Sequence, residues 1–245
     1  MRSFHFPGRS PVMSTRAMCA TSHPLASLAA IEMLRKGGNA IDAAITATAV
    51  MCVVEPAMTG IGGDCFAIIA KPGQKPIAFN ASGKAPKAAT PEWYAKAGIE
   101  TIETQSPHSV TVPGAIDGWA TLLRDHGTKS FADVLAPAIE QAERGWPVQA
   151  RIAFDWASLE GKIRNNPGAM QHLLKDGRVP KAGEIMKSPA LARTLRIIAE
   201  KGRDGFYAGE VAEDIVAEMR ALGGLHTMDD FAAQSCAYVE PISVG

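Results

Sequence analysis

The stretch from His23 to Ala70, HPLASLAAIEMLRKGGNAIDAAITATAVMCVVEPAMTGIGGDCFAIIA, constrains the fold more than any other part of the chain. It reads as helix, glycine break, nearly uncharged helix, glycine-rich turn, then strand. Pro24 suits the first helical position, where its missing N–H would be orphaned anyway, and Ser22 or His23 is the expected N-cap. Gly37-Gly38 ends that helix. Asn39 is the natural cap of the next one, with Asp42 at N3 favouring its positive end. Ala43 to Val54 is small and apolar on all sides, which predicts a helix buried on more than one face, and Glu55-Pro56 stops it. The order of elements excludes one tempting reading. A phosphate-cradling loop runs strand, glycines, helix, so that helix N–H groups aim at the anion. Gly60, Gly62 and Gly63 instead follow a helix and feed a strand, so TGIGG is not read as a nucleotide site.

Further along, Cys65–Ala70 and Ile77–Phe79 are expected to be short strands joined by a hairpin at Lys71–Lys75. Residues 80–86, Asn-Ala-Ser-Gly-Lys-Ala-Pro, form a polar loop, and Val110–Val112 reads as another short strand. Helices are predicted over 115–125, 131–144, 147–156, 188–201 and 207–222, punctuated by Gly127, Gly145, Gly202 and Gly223-Gly224. Thr227 should cap a short helix through Phe231, and Tyr238–Val244 alternates weakly, as a strand does. The fold class is therefore α+β, with helix-rich C-terminal two thirds. Residues 1–12 read as a disordered or adventitious extension, and 13–245 as one structural portion.

Composition narrows the function classes. Lys plus Arg and Asp plus Glu number 25 each, so no long-range field attracts nucleic acid or an anionic membrane surface. The N-terminal residues lack the continuous apolar core of a secretory signal, and the charge-free run 43–54 is shorter than the ~20 residues a membrane span needs. A soluble, cytoplasmic protein is expected, with no nucleic-acid or membrane partner. Cys19, Cys52, Cys65 and Cys236 show no zinc or redox spacing and read as reduced structural thiols. The six histidines form no HxxxH pair, so no metal is expected.

Four blocks, SHPLAS…LRKGGNAIDAA, VVEPAMTGIGGDCF, VPGAIDGWATLLRDHGT and VLAPAIEQAERGWPV, resemble the γ-glutamyltranspeptidase (glutathione hydrolase) family in content, spacing and order. The resemblance implies an Ntn-hydrolase αββα sandwich, made as a precursor that cleaves itself into two subunits. It also implies a threonine nucleophile at the new N-terminus of the small subunit, activated by its own α-amine. Backbone N–H groups of that subunit would stabilise the oxyanion. No cofactor is implied. Only the front of the large subunit matches, and the weak final strand reads as that of a truncated chain. On this reading the catalytic threonine lies beyond Gly245, no catalytic residue lies in this chain, and the chain alone is silent. Thr128 and Thr227 fit no processing junction. The implied partners are a small-molecule amide substrate, γ-glutamyl or another acyl amide, and the catalytic small subunit from the same precursor.

One family role maps onto these residues. An arginine in an Asp-Phe-Arg-Glu-x-Ala-Pro-like loop grips the donor's α-carboxylate in the family. Aligned on Ala85-Pro86, that arginine's place falls on Ser82, which offers one neutral donor in place of a charged fork. Lys84 is the candidate for compensation, since residues 82 and 84 of an extended loop share a side. The candidate substrate-binding residues are thus Asn80, Ser82, Gly83 and Lys84, with Asn80 and Gly83 shaping the loop and Gly83 supplying a positive φ. The departure argues against glutathione and towards oxamate-type or other acyl amides. Asp64 stands where the family has another glycine, so its charge is expected to face the cleft. Glu55 is expected to accept from backbone N–H groups of the Gly60–Gly63 turn, and Trp119 and Trp146 to be core aromatics. The alternative function is a non-catalytic truncated paralogue acting as a folded stub or binding module. Without a second subunit, sheet edges and apolar faces should stay uncovered.

Overall fold

A computed structural model describes residues 11–244. Of the expected N-terminal extension, residues 1–10 lie outside this range, while Pro11 and Val12 are exposed and belong to no regular element. In chain order the elements begin with α1 (Pro24–Arg35), α2 (Ala40–Val54), β1 (Cys65–Ile69), β2 (Ile77–Ala81) and α3 (Pro91–Ala97). After a 3-10 turn at Pro107–Ser109 come α4 (Ala115–His126), α5 (Phe131–Arg144), β3 (Trp146–Pro147), α6 (Ala150–Ser158), α7 (Glu160–Arg164) and α8 (Pro167–Leu173). The last are β4 (Ile185–Met186), α9 (Pro189–Lys201), α10 (Asp204–Tyr207), α11 (Glu210–Ala221), α12 (Met228–Ala232) and β5 (Ala237–Val239). The chain divides into two compact units, one formed by residues up to Thr59 with Val134–Arg193, the other by Gly60–Asp133 with Thr194–Gly245.

The first unit is built on the α1–α2 hairpin. His23 caps α1 by accepting the Leu25 N–H on Nδ1 at 3.2 Å. Asn39 caps α2 by accepting from Ile41 and Asp42, while Asp42 Oδ2 accepts the Asn39 N–H at 2.7 Å. This reciprocal box satisfies orphan donors that burial would make costly. Ala26, Ala29 and Ala30 of α1 are buried, as are ten of the fifteen residues of α2. The small side chains let the two helices pack closely. Glu55 is buried too, but it accepts the Ser22 hydroxyl at 2.6 Å, not N–H groups of the glycine turn. A nearby hydroxyl after the cap satisfies the carboxylate locally. Trp146 and Trp156 complete this core, and Trp146-Pro147 pair with Ile185-Met186. That pairing holds residues 146 and 147 extended, so α6 starts at Ala150 and not at Pro147.

The second unit holds an antiparallel sheet of order β1-β2-β5. Its register sets Cys65 opposite Ala81, Phe79 opposite both Ala67 and Tyr238, and Asn80 opposite Ala237. Helix α4 packs on one face, and Gly118 makes this possible: a Cβ there would lie 2.7 Å from Ala81 Cβ and 3.1 Å from Cys65 Cβ. Trp119 is fully buried on the same helix. The Gly63 carbonyl accepts from Gly114 and Ala115 at 3.0 and 2.9 Å, so the glycine turn caps α4 with backbone oxygen. On the opposite face Phe66 and Ile68 are 66% and 72% exposed. Among the described residues the sheet thus presents an apolar face and two edges that no further strand pairs.

Several boundaries differ from the sequence-based expectations. Strand β2 runs on through Asn80 and Ala81, taking both from the predicted loop, because β1 pairs them with Phe66 and Cys65 and β5 adds Ala237 opposite Asn80. Val110–Val112 is extended but forms no strand, since the Val112 N–H is spent on the Lys84 carbonyl at 2.9 Å. The predicted 207–222 helix begins only at Glu210: Tyr207 ends the short α10, and Gly209, with φ 66°, separates the two. Helices α3 and α8, each begun by a side-chain cap and proline (Thr90-Pro91 and Asn166-Pro167), escaped a reading based on apolar periodicity because neither buries a residue.

Candidate functional site

The residues predicted to bind substrate come together in the second unit, where β2 ends. Asn80, opposite Phe66 and one residue before the strand's end at Ala81, accepts the Ser82 N–H on Oδ1 at 2.9 Å and so turns the chain out of the strand. Ser82 itself has no side-chain partner among the described residues. The Gly83 N–H donates to Asp64 Oδ1 at 3.0 Å. Asp64 is exposed just before β1 and meets both solvent and this loop. Gly83 does not have a positive φ. It is glycine for space, because a Cβ would run into the Val112 carbonyl and the Thr111 side chain.

Lys84 is held at three points. Its N–H donates to Gln234 Oε1 at 3.4 Å, its carbonyl accepts from Val112, and its Nζ donates to Ser235 Oγ at 2.8 Å. Three residues on, the Lys87 N–H donates to Asp230 Oδ1 at 2.9 Å. Asp230 is in turn the N3 residue of α12, where its Oδ2 accepts from the Thr227 hydroxyl and N–H. Burial works against ionisation of Asp230, yet these donors from Lys87 and Thr227 hold its carboxyl below the usual range. The carboxylate therefore stays charged as the anchor of the loop's far end.

Behind the loop lies a buried polar relay. The Gln234 side chain, 3% exposed, also donates from Nε2 to the Ser82 carbonyl at 3.4 Å. Its own carbonyl accepts from Arg203 Nη2 at 2.7 Å, and Arg203 Nε donates to Asp117 Oδ1 at 2.5 Å. The Arg203 guanidinium lies 4.5 Å from the centre of the Tyr207 ring. Tyr207 donates to the Pro113 carbonyl at 2.6 Å and accepts the Asp117 N–H at 3.1 Å. Burial pushes the Tyr207 hydroxyl far above its ordinary pKa, so it remains a neutral donor.

The arrangement offers an ammonium with spare donors and a neighbouring hydroxyl, a combination that binds carboxylate. It offers no activated nucleophile. Burial, with the nearby Cys236, pushes the Cys65 thiol up to about 11, and the Thr227 hydroxyl is committed to its helix cap. Among the described residues no group of three or more His, Cys, Asp or Glu side chains is placed to hold a metal ion. No described helix is long and apolar enough to cross a membrane. A cavity elsewhere in this unit, lined by Ile61, Gly62, Phe206, Val211, Asp214 and neighbours, shares no residue with the loop and presents no cation.

Of the residues singled out in the sequence, Asn80, Ser82, Gly83 and Lys84 share one loop, and the structure brings Asp64 to it through the Gly83 N–H. Sequence reasoning missed Gln234, Ser235 and Asp230. Only Asp230 left a trace, as the acidic N3 partner of Thr227, and nothing local points from there to residue 87.

Comparison with known proteins assigns the chain. The family model described as Gamma-glutamyltranspeptidase matches residues 26–245. The oxamate amidohydrolase proenzyme of Klebsiella pneumoniae is 40% identical over 95% of this chain and 45% of its own length. The glutathione hydrolase-like YwrD proenzyme of Bacillus subtilis is 37% identical over 95% of this chain and 44% of its own length. This chain therefore spans less than half the length of either relative. The crystal structure of Helicobacter pylori γ-glutamyltranspeptidase superposes with a TM-score of 0.88 at 31% identity, over 95% of this chain and 68% of that one. The helix-rich α+β architecture is accordingly that of the Ntn hydrolases, and the chain belongs to the γ-glutamyltranspeptidase family.

Proposed function

We propose that this chain is the front part of the large subunit of an amidohydrolase or acyltransferase whose donor is a small acyl amide bearing a carboxylate, and not glutathione. The carrying observation is the bond from Lys84 Nζ to Ser235 Oγ, in the loop whose sequence resembles the family's carboxylate-binding loop. A single ammonium beside a hydroxyl suits a compact carboxylate, whereas a planar guanidinium suits bidentate capture of an amino-acid carboxylate. The relatives named for oxamate and for glutathione bracket these two choices.

In this reading the nucleophile is a threonine freed by self-cleavage of a longer precursor, in a segment following Gly245. Its hydroxyl attacks the amide carbonyl while its α-amine takes the proton. The amine product leaves, and water or an acceptor amine removes the acyl group. The exposed Phe66–Ile68 face is where the catalytic subunit's own sheet would pack. A cytoplasmic location belongs to the same reading.

The test begins with the complete reading frame, by intact mass and N-terminal sequencing of the purified protein. A second chain starting with threonine is expected. A lone 25.9 kDa chain without amidase activity overturns the proposal in favour of a non-catalytic stub. In the matured enzyme, Ser82→Arg should raise kcat/KM for γ-glutamyl donors about tenfold. An unchanged or lower value defeats the assigned donor preference.

A further inference from the structure

We infer that Gln234 and Ser235 form a positioning element that fixes both ends of Lys84 and thereby sets the donor selectivity of the loop. The inference rests on Lys84 being the carboxylate-binding group. Four contacts carry it. The Gln234 side-chain amide spans Gly83, accepting the Lys84 N–H and donating to the Ser82 carbonyl, each at 3.4 Å. The next residue's hydroxyl receives the Lys84 Nζ at 2.8 Å. The Gln234 main chain is held by Arg203, itself locked to Asp117 of α4.

Each contact does a separate job. A lysine side chain has four rotatable carbons and a compact charge, so a free ammonium would sample a wide volume. The bond to Ser235 takes one of its three donors and leaves two for a ligand carboxylate. The two long amide bonds are individually weak. Their value lies in direction, since one planar amide reads the backbone on both sides of Gly83. It therefore fixes how the Ser82 hydroxyl and the Lys84 stem are disposed. Because Gln234 is buried and Arg203 holds its carbonyl, the amide cannot follow a loop that shifts. Gln234 acts through Lys84 and Ser82 and is a positioning residue.

The experiment uses the matured enzyme from the complete reading frame, with oxamate as the carboxylate-bearing donor and oxamide as its neutral counterpart. Gln234→Met keeps length and volume while removing the amide. It should raise KM for oxamate about tenfold, with kcat for oxamide within about twofold of wild type. Ser235→Ala, at an exposed position that leaves the core intact, should raise the oxamate KM about threefold and leave oxamide untouched. Each change should lose its effect when Lys84→Met is already present, because there is no ammonium left to position.

Parallel losses for both donors, or effects that simply add to Lys84→Met, overturn the positioning role. If Gln234→Met does not fold, Ser235→Ala and its double variant decide the matter alone. A Lys84→Met enzyme with an unchanged oxamate KM defeats the underlying assignment instead. An effect of Lys84→Met without any from Gln234→Met or Ser235→Ala defeats only the inference.

Discussion

The α1–α2 hairpin and the 80–87 loop are assembled by opposite strategies. In the hairpin each determinant sits within four residues of what it serves: His23 caps residue 25, Asn39 caps 41 and 42, and Asp42 returns to 39. In the loop the decisive partners are distant. Gly83 answers to Asp64, Lys87 to Asp230, and Lys84 to Gln234, 150 positions away. Local determinants specify an element before the rest of the chain folds. Distant ones specify it only after tertiary structure exists. The hairpin is accordingly specified locally, and the loop only by the assembled fold.

Substitutions can test that contrast. Gly83→Ala should have the largest effect, about 2–3 kcal/mol of destabilisation by chemical denaturation, as the loop is forced off Thr111 and Val112. It should also abolish discrimination between charged and neutral donors. A stable variant with intact selectivity would show that the loop is not pinned where the contacts place it. Next comes acid. Burial lowers His23 from 6.5 to about 4, and its Nδ1 must be unprotonated to accept the Leu25 N–H. The folded pKa lies below the unfolded one, so this contribution is fully present above about 6.5. It declines as pH falls towards about 4. His23→Asn, which keeps a capping acceptor, should flatten that part of the stability profile, and parallel profiles for the two proteins would contradict the assignment. Smaller still, Asn39→Ala should cost about 1 kcal/mol while leaving KM values unchanged. A change in KM would mean that the two strategies are not separate.

The same contrast explains what could be read in advance. Both caps of the hairpin, the hairpin turn between β1 and β2, and the order of helix, glycine turn and strand all follow from neighbours in sequence. So does the cap at Thr227. Ser82 and Lys84 were found through family spacing, since a serine and a lysine in a polar loop carry no signal of their own. Gly83 was identified for the wrong reason: the sequence suggests backbone freedom, while the structure requires empty space beside Val112. Gln234 and Ser235 were not legible at all. They follow a short helix among alanines, and their contacts arise from which loop the fold brings to them. The break at Gly209 and the pairing of Trp146-Pro147 with Ile185-Met186 belong to the same class of long-range outcome.

The distance between Lys84 and Gln234 also has a meaning in time. A ribosome adds about 5–20 residues each second, so the loop leaves the exit tunnel roughly 8–30 s before the residue that clasps it. During that interval the α1–α2 hairpin, complete with its caps, is able to form, whereas the loop has no frame to hold it. Nascent chains therefore pass through a stage in which the capped hairpin is present and the 80–87 loop is still unclasped.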